Sequence, residues 1–127
     1  LAIDELPGLT HLVSDVQGTL KENVRWNEIF RATLPPGSVS GAPKSSAINL
    51  INKYEAIDRG VYCGTFGWIH GDRAELAVAI RTFWSDGATV KFGTGAGITW
   101  ASDPELEWEE TELKASRLIA IANGNLQ

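Results

Sequence analysis

Residues 61–100 read VYCGTFGWIHGDRAELAVAIRTFWSDGATVKFGTGAGITW, and their texture decides the fold class. Three runs rich in Val, Ile, Thr and aromatic side chains are separated by His70-Gly71-Asp72 and Ser85-Asp86-Gly87. Branched and aromatic side chains suit a pleated surface, and Gly or Asp at the breaks permits tight reversals, so the segment predicts a β-meander. The run Leu76-Ala77-Val78-Ala79-Ile80-Arg81-Thr82-Phe83-Trp84 is its middle strand, with Arg81 on the face of the small Ala77 and Ala79.

Helical spacing flanks this block. Upstream, Asn23 is a capping residue, and Trp26, Ile29, Phe30 and Thr33 recur at helical intervals until Pro35-Pro36-Gly37 stops them. A second helix is expected from Pro43, whose missing N–H suits a first helical position, with Ala47, Leu50, Ile51 and Tyr54 as its buried stripe. Downstream, Ser102 and Glu105 have capping-box spacing, and helical character runs to about Ala122 before Gly124. Near the start, Thr10 to Leu20 alternates loosely, with Leu12, Val16 and Leu20 on one face, which predicts a strand. Strands and helices come in blocks rather than as βαβ units. The expected fold class is therefore α+β, with a layered, mainly antiparallel sheet and helices.

At 127 residues the chain holds one domain or less. A net charge of −5 without a Lys/Arg cluster excludes a basic nucleic-acid surface and points to small-molecule partners. No apolar run approaches the roughly 20 residues that span a bilayer, so the reading is a soluble chain with no membrane partner. Cys63 is the only cysteine, which rules out an internal disulfide, and no segment has the form of a signal peptide; a cytoplasmic setting is expected. The chain opens at Leu1 and contains no methionine, so residues 1–127 are read as an incomplete domain, a piece of something longer. A sheet edge or apolar face left open in such a piece favours self-association.

Several stretches suggest sites. The turn Ser38-Val39-Ser40-Gly41-Ala42-Pro43-Lys44-Ser45 precedes a helix start and offers N–H groups, hydroxyls and a lysine to an anion; an ordinary capped turn with Lys44 in solvent is the alternative. Gly93-Thr94-Gly95-Ala96-Gly97 leaves its backbone barely shielded, so its amides suit a carboxylate, or else the glycines serve a bulge or tight packing. Arg81 in an apolar strand calls for an anionic partner, from the protein or a ligand. On the last helix Glu107, Glu110 and Lys114 fall at i, i+3 and i+7, so two carboxylates share one stripe and suit a hard cation such as Mg²⁺; a solvated acidic face with a Glu110 and Lys114 surface pair is the other reading. His11 is equally a packed strand residue and a proton donor.

Order and spacing join these signals. His11-Leu12-Val13-Ser14, Ser40-Gly41-Ala42-Pro43-Lys44, Tyr62-Cys63-Gly64, Ile80-Arg81-Thr82, Gly95-Ala96-Gly97 and Glu107-Trp108-Glu109-Glu110-Thr111 together resemble the chorismate-binding enzymes, from about His11 to Ile121. The resemblance implies the C-terminal part of the anthranilate-synthase-like fold. It also implies that Glu107 and Glu110 belong to a Mg²⁺ site bridging to one carboxylate of chorismate. Arg81, Tyr62 and the amides of Gly95, Ala96 and Gly97 would hold the other carboxylate, with Lys44 on the anion-binding turn. It places Lys114 beside the metal-bound end, His11 near the enolpyruvyl ether, and Ser38 where the anthranilate enzymes usually carry threonine. The turn at Ser38, Tyr62-Cys63-Gly64 and the Ser102-Asp103-Pro104 run look more like the aminodeoxychorismate type, which serves p-aminobenzoate and folate biosynthesis, than the anthranilate type of tryptophan biosynthesis. A non-catalytic module retaining the fold is a third reading.

That resemblance implies ammonia from a glutamine amidotransferase partner, and a lysine nucleophile and further acidic metal ligands in a motif outside these residues. The 127-residue chain by itself is therefore expected to turn over no chorismate. Measurable consumption of chorismate by the isolated chain, followed by its ultraviolet absorbance, refutes this.

Overall fold

The computed structural model describes residues 2–6 and 9–124, apart from the side chains of Leu6, Leu9 and His11. It divides into two compact units, residues 1–32 and 33–127.

In the first unit, β1 (Ala2–Leu6) and β2 (Leu9–Val13) pair antiparallel, with Ala2 opposite Val13 and Ile3 opposite Leu12. The strand expected to run to Leu20 therefore stops at Val13, the end of its ladder with β1, and Val16 and Leu20 are exposed. A strand persists only where backbone groups find partners, and the partner β1 had no clear alternation to announce it. Next comes α1 (Trp26–Thr33), on which Trp26 and Phe30 place their ring centroids 6.0 Å apart, one turn on. Its entry is not capped by Asn23, which sits in a turn at φ 63°. Instead the Glu28 carboxylate accepts the Arg25 N–H at 2.9 Å, the return half of a capping box.

The second unit starts with a short turn of helix, α2 (Gly37–Ser40), and the longer α3 (Lys44–Tyr54). Gly41 between them has φ 103°, and a Cβ there would lie 2.9 Å from the Ala47 methyl, so the close approach of the two helices needs glycine. Pro43 takes the N-cap of α3 rather than its first turn. The expected stripe on α3 is only half covered: Ala47 and Ile51 are partly buried, but Leu50 is 54% and Tyr54 71% exposed.

The meander resolves into two hairpins. β3 (Thr65–His70) pairs with β4 (Arg73–Val78) across a two-residue loop whose first position, Gly71, has φ 60°, as a II′-type reversal requires. β5 (Phe83–Ser85) pairs with β6 (Val90–Phe92), and Phe83 and Phe92 face each other with centroids 4.8 Å apart. β4 and β5 do not pair, so the described strands form three separate two-stranded sheets, all antiparallel. The predicted middle strand breaks because Ala79 is engaged by the turn before β3: its N–H donates to Gly64 and its carbonyl accepts from Cys63. The chain then bends, with the Ile80 N–H on the Val78 carbonyl and Arg81 at φ 50°.

The last element, α4 (Pro104–Ala122), ends before Gly124, which has φ 79°. Its cap is Asp103, whose carboxylate accepts from the Glu105 and Leu106 N–H groups at 3.0 and 3.1 Å, and not Ser102. Aspartate here also meets the positive end of the helix dipole. No helix among the described residues is long and apolar enough to cross a membrane.

Within the β3–β4 hairpin Gly67 has φ 154°, and a Cβ on it would stand 2.0 Å from the Glu75 carbonyl oxygen. Gly67→Ala forces two paired strands apart and adds strain at a conformation that L-residues avoid. It is expected to cost about 2–4 kcal/mol, read as a lower midpoint in urea denaturation; an unchanged midpoint contradicts the geometry.

Candidate functional site

Residues 59–64 form a turn that delivers Tyr62. Gly60 at φ 57° and Cys63 at φ 65° reverse the backbone, while the Tyr62 N–H donates to Arg59 and the Gly64 N–H to Val61. The phenol ring then lies along the loop that follows β6. A Cβ at Gly93 would fall 2.3 Å from Tyr62 Cγ, and one at Gly95 would fall 3.1 Å from the Tyr62 hydroxyl. Gly93, Gly95 and Gly97 all avoid the left-handed region, so at position 93 glycine is demanded by the ring pressed on it and not by the backbone angle. Around Gly97 nothing approaches within 4 Å.

Helix α4 holds the loop from its own side. The Thr94 hydroxyl donates to the Thr111 carbonyl, and the Lys114 ammonium to the Gly95 carbonyl, both over 3.4 Å. Lys114 also pairs with Glu110 at 2.6 Å, so one cation ties a helical carboxylate to the loop. One turn earlier, Glu107 Oε1 accepts from the Ser102 hydroxyl at 2.5 Å, while its Oε2 is buried without a hydrogen-bond partner. Tyr62, residues 93–96, Glu107, Trp108 and Thr111 thus share the wall of one open cleft of about 920 Å³. Mostly apolar walls with a few convergent polar groups are the usual composition of a small-molecule site.

The electrostatics sort the donors from the anions. Burial, above all, pushes the Tyr62 hydroxyl up to about 12, so at neutral pH it stays protonated and able to donate. Glu110 is held below the usual carboxylate range by the Lys114 hydrogen bond and charge. Glu55 is held down likewise by its hydrogen bond from Arg59, whose own pKa rises in return.

The residues expected from sequence divide. Tyr62, Gly95, Ala96 and Glu107 meet in the cleft, and the Gly95 and Ala96 amides make no hydrogen bond among the described residues. Glu110 and Lys114 stand beside it on α4. Arg81, Ser38 and Gly97 are not among its lining residues, and Arg81 is exposed in the bend after β4, where its charge needs no buried partner. Lys44 is also away from the cleft; its ammonium donates to the Leu34 carbonyl at 2.9 Å. The His11 side chain lies outside the described residues. Sequence reasoning passed over Ser102 as a partner of Glu107, Thr94 and Thr111 as the loop's fastening, and Arg59 and Trp84 in the cleft wall. The Arg59-Gly60 pair just before Tyr62 was the available signal, since a glycine beside a charged residue marks a turn that can aim a side chain.

For a hard cation, Glu107 and Glu110 offer oxygen donors from one stripe of α4, and the unsatisfied Oε2 of Glu107 is an atom that such an ion would complete. The two carboxylates fit part of a coordination shell. Among the described residues no group of three or more His, Cys, Asp or Glu side chains gathers to complete one.

Gly93→Ala is expected to expel the Tyr62 ring from its seat, because the ring carbons and a new methyl cannot share that space. Tyrosine absorbance near 295 nm is the readout, in a Tyr54→Phe background: the phenol should titrate well below its value in the parent as burial is lost. An unmoved titration means the ring does not depend on Gly93.

Comparison with known proteins places this geometry. The chorismate binding enzyme family matches residues 1–120. Among curated relatives, anthranilate synthase component 1 of Neisseria gonorrhoeae is 40% identical over 96% of this chain and 25% of its own length. The protein of the same name from Saccharolobus solfataricus is 42% identical over 91% of this chain and 28% of its own, and that from Archaeoglobus fulgidus 41% over 94% and 29%. The chain therefore spans about a quarter of the length of these relatives. They carry the name that the sequence reading had put second, after the aminodeoxychorismate type. With the family's pattern matched over residues 1–120, almost its whole length, the chain belongs to the chorismate-binding enzymes.

Proposed function

We propose that this chain forms a substrate and metal half-site of an enzyme that converts chorismate, with ammonia, to anthranilate. The observation that carries the reading is the meeting of Tyr62, the unpaired amides of residues 95–96 and Glu107 on one cleft among the described residues. The shared name of the relatives favours anthranilate over 4-amino-4-deoxychorismate as product.

Chorismate is a dianion, and the half-site supplies groups for both of its ends. The protonated Tyr62 hydroxyl and the amides of Gly95 and Ala96 donate to one carboxylate, where backbone donors cost no reorganisation. Glu107 and Glu110 would hold Mg²⁺, whose charge would offset that of the other. When bound, Mg²⁺ supplies Lewis acidity that neutralises substrate charge and eases departure of the allylic hydroxyl. Lys114, placed between Glu110 and the Gly95 carbonyl, keeps a positive charge at that end and links helix to loop. Ser102 fixes one oxygen of Glu107, and the other, without a hydrogen-bond partner among the described residues, would be free for the ion. Roles for His11, Ser38, Arg81, Lys44 and Gly97 rest on the family resemblance alone. Ammonia comes from a glutamine amidotransferase partner, in keeping with the family, and any additional metal ligands come from outside the described residues.

The intact protein is expected to form anthranilate, detected by its fluorescence, from chorismate, ammonium and Mg²⁺. Removal of the ion with EDTA should abolish turnover, and Glu107→Gln or Glu110→Gln should reduce it by roughly 100-fold or more. Formation of 4-amino-4-deoxychorismate instead assigns the protein to the other branch of the family. Chorismate binding that is indifferent to Mg²⁺ and to both substitutions overturns the metal assignment and favours a non-catalytic module.

A further inference from the structure

Behind Tyr62 lies a group of side chains to which the proposed chemistry gives no part. The Arg59 guanidinium donates twice to Glu55, from Nε at 2.8 Å and from Nη2 at 2.5 Å, and its Nη1 reaches the Cys63 sulfur at 3.4 Å. Its central carbon stands 5.6 Å from the centroid of the Tyr62 ring. Cys63 is 5% exposed, so the third contact ends on a group packed in the small core. Arg59 and Tyr62 together separate the 920 Å³ cleft from a second groove of about 360 Å³, lined also by Cys63, Ile48 and Ile51.

This arrangement is more than a surface ion pair. Exposed pairs contribute little to stability by themselves, and the Glu55 and Arg59 pair is partly open to solvent. Fork-to-fork pairing, however, fixes the plane of a guanidinium, which a single contact does not. The fixed cation lies over the Tyr62 ring, and the Gly93 backbone stands against the same ring near its Cγ. The Tyr62 hydroxyl, at the end of that ring, is brought to Gly95.

We infer that Arg59, locked by Glu55, is a positioning residue that holds the Tyr62 ring against the glycine loop and so aims its hydroxyl at the ligand. The ligand named, chorismate, rests on the function proposed above; the seating of the ring does not. Lysine cannot replace Arg59, because an ammonium on a flexible stem makes no planar fork and stacks less well. Glutamine at position 55 keeps a hydrogen bond and loses the charge, so it should loosen the lock only in part.

Two measurements on the intact protein test this. In the first, chorismate affinity is measured calorimetrically with Mg²⁺ present, beside steady-state kinetics. Arg59→Lys should weaken binding and raise KM by roughly fivefold to tenfold, Glu55→Gln by roughly twofold to threefold, with kcat held within about twofold in both. In a Tyr62→Phe background, where no hydroxyl remains to be aimed, Arg59→Lys should add no further loss. An equal loss in both backgrounds means that Arg59 meets the ligand itself, and wild-type affinity in Arg59→Lys means that it does nothing for the site; either result overturns the inference. In the second, 3-fluorotyrosine is installed at position 62 and its ¹⁹F resonance followed without ligand. A shifted resonance in the parent should move toward the free amino acid in Arg59→Lys, whereas identical spectra overturn the seating. A parent that seats the ring but binds no chorismate removes the proposed function and leaves the positioning role standing.

Discussion

A phenol ring and a backbone cannot occupy the same space, and the contact of Tyr62 with Gly93 turns that exclusion into an organising constraint. The ring lies where a side chain at position 93 would have to be, within 2.3 Å of the missing Cβ. To bring it there, the turn at residues 59–64 uses two positive φ angles, one at Gly60 and one at Cys63, the second in a residue that rarely adopts it. Ala79 anchors that turn through both of its backbone groups and is itself buried. The break between β4 and β5 follows, since Ala79 continues the ladder toward Gly64 and the chain must bend away after it. One ring position thus connects the turn, both hairpins and the loop that α4 grips from its own side.

The polar groups of the cleft show a consistent division of labour. Charges that face solvent are paired locally, as in Lys114 with Glu110 and Arg59 with Glu55. Groups left without protein partners are a buried carboxylate oxygen of Glu107 and the loop amides. An unpaired buried acceptor is costly in a finished protein, so it marks a place where another group completes the arrangement. Donor amides and a carboxylate thus line one cleft, the mixed polar lining of a small-molecule site.

The hydrophobic side of the structure is equally uneven. Cys63, Ala79 and Ala115 are buried, all small, while Trp68, Trp108 and Leu113 are largely open to solvent. In a chain that matches about a quarter of the length of its relatives, helical stripes such as Leu50 and Tyr54 on α3 satisfy the periodic pattern without meeting a covering layer among the described residues.

Much was legible in the linear order of residues. Turn residues at Gly71 and Gly87 marked both hairpins, helical spacing located α1, α3 and α4 to within a residue or two, and Gly124 marked the end of the last helix. Glu107, Glu110 and Lys114 were bound to share a stripe once α4 formed, because helical geometry is local. Tyr62-Cys63-Gly64 and Gly95-Ala96-Gly97 declared the family as short motifs. These features depend on residues near one another in the chain, where the backbone period alone decides who meets whom. Nothing local carries Arg81 out of a strand that its apolar neighbours favour, or sets the ring of Tyr62 on a glycine 31 positions away. Those outcomes were decided by packing between distant segments, where the volume of one side chain determines what another position can hold.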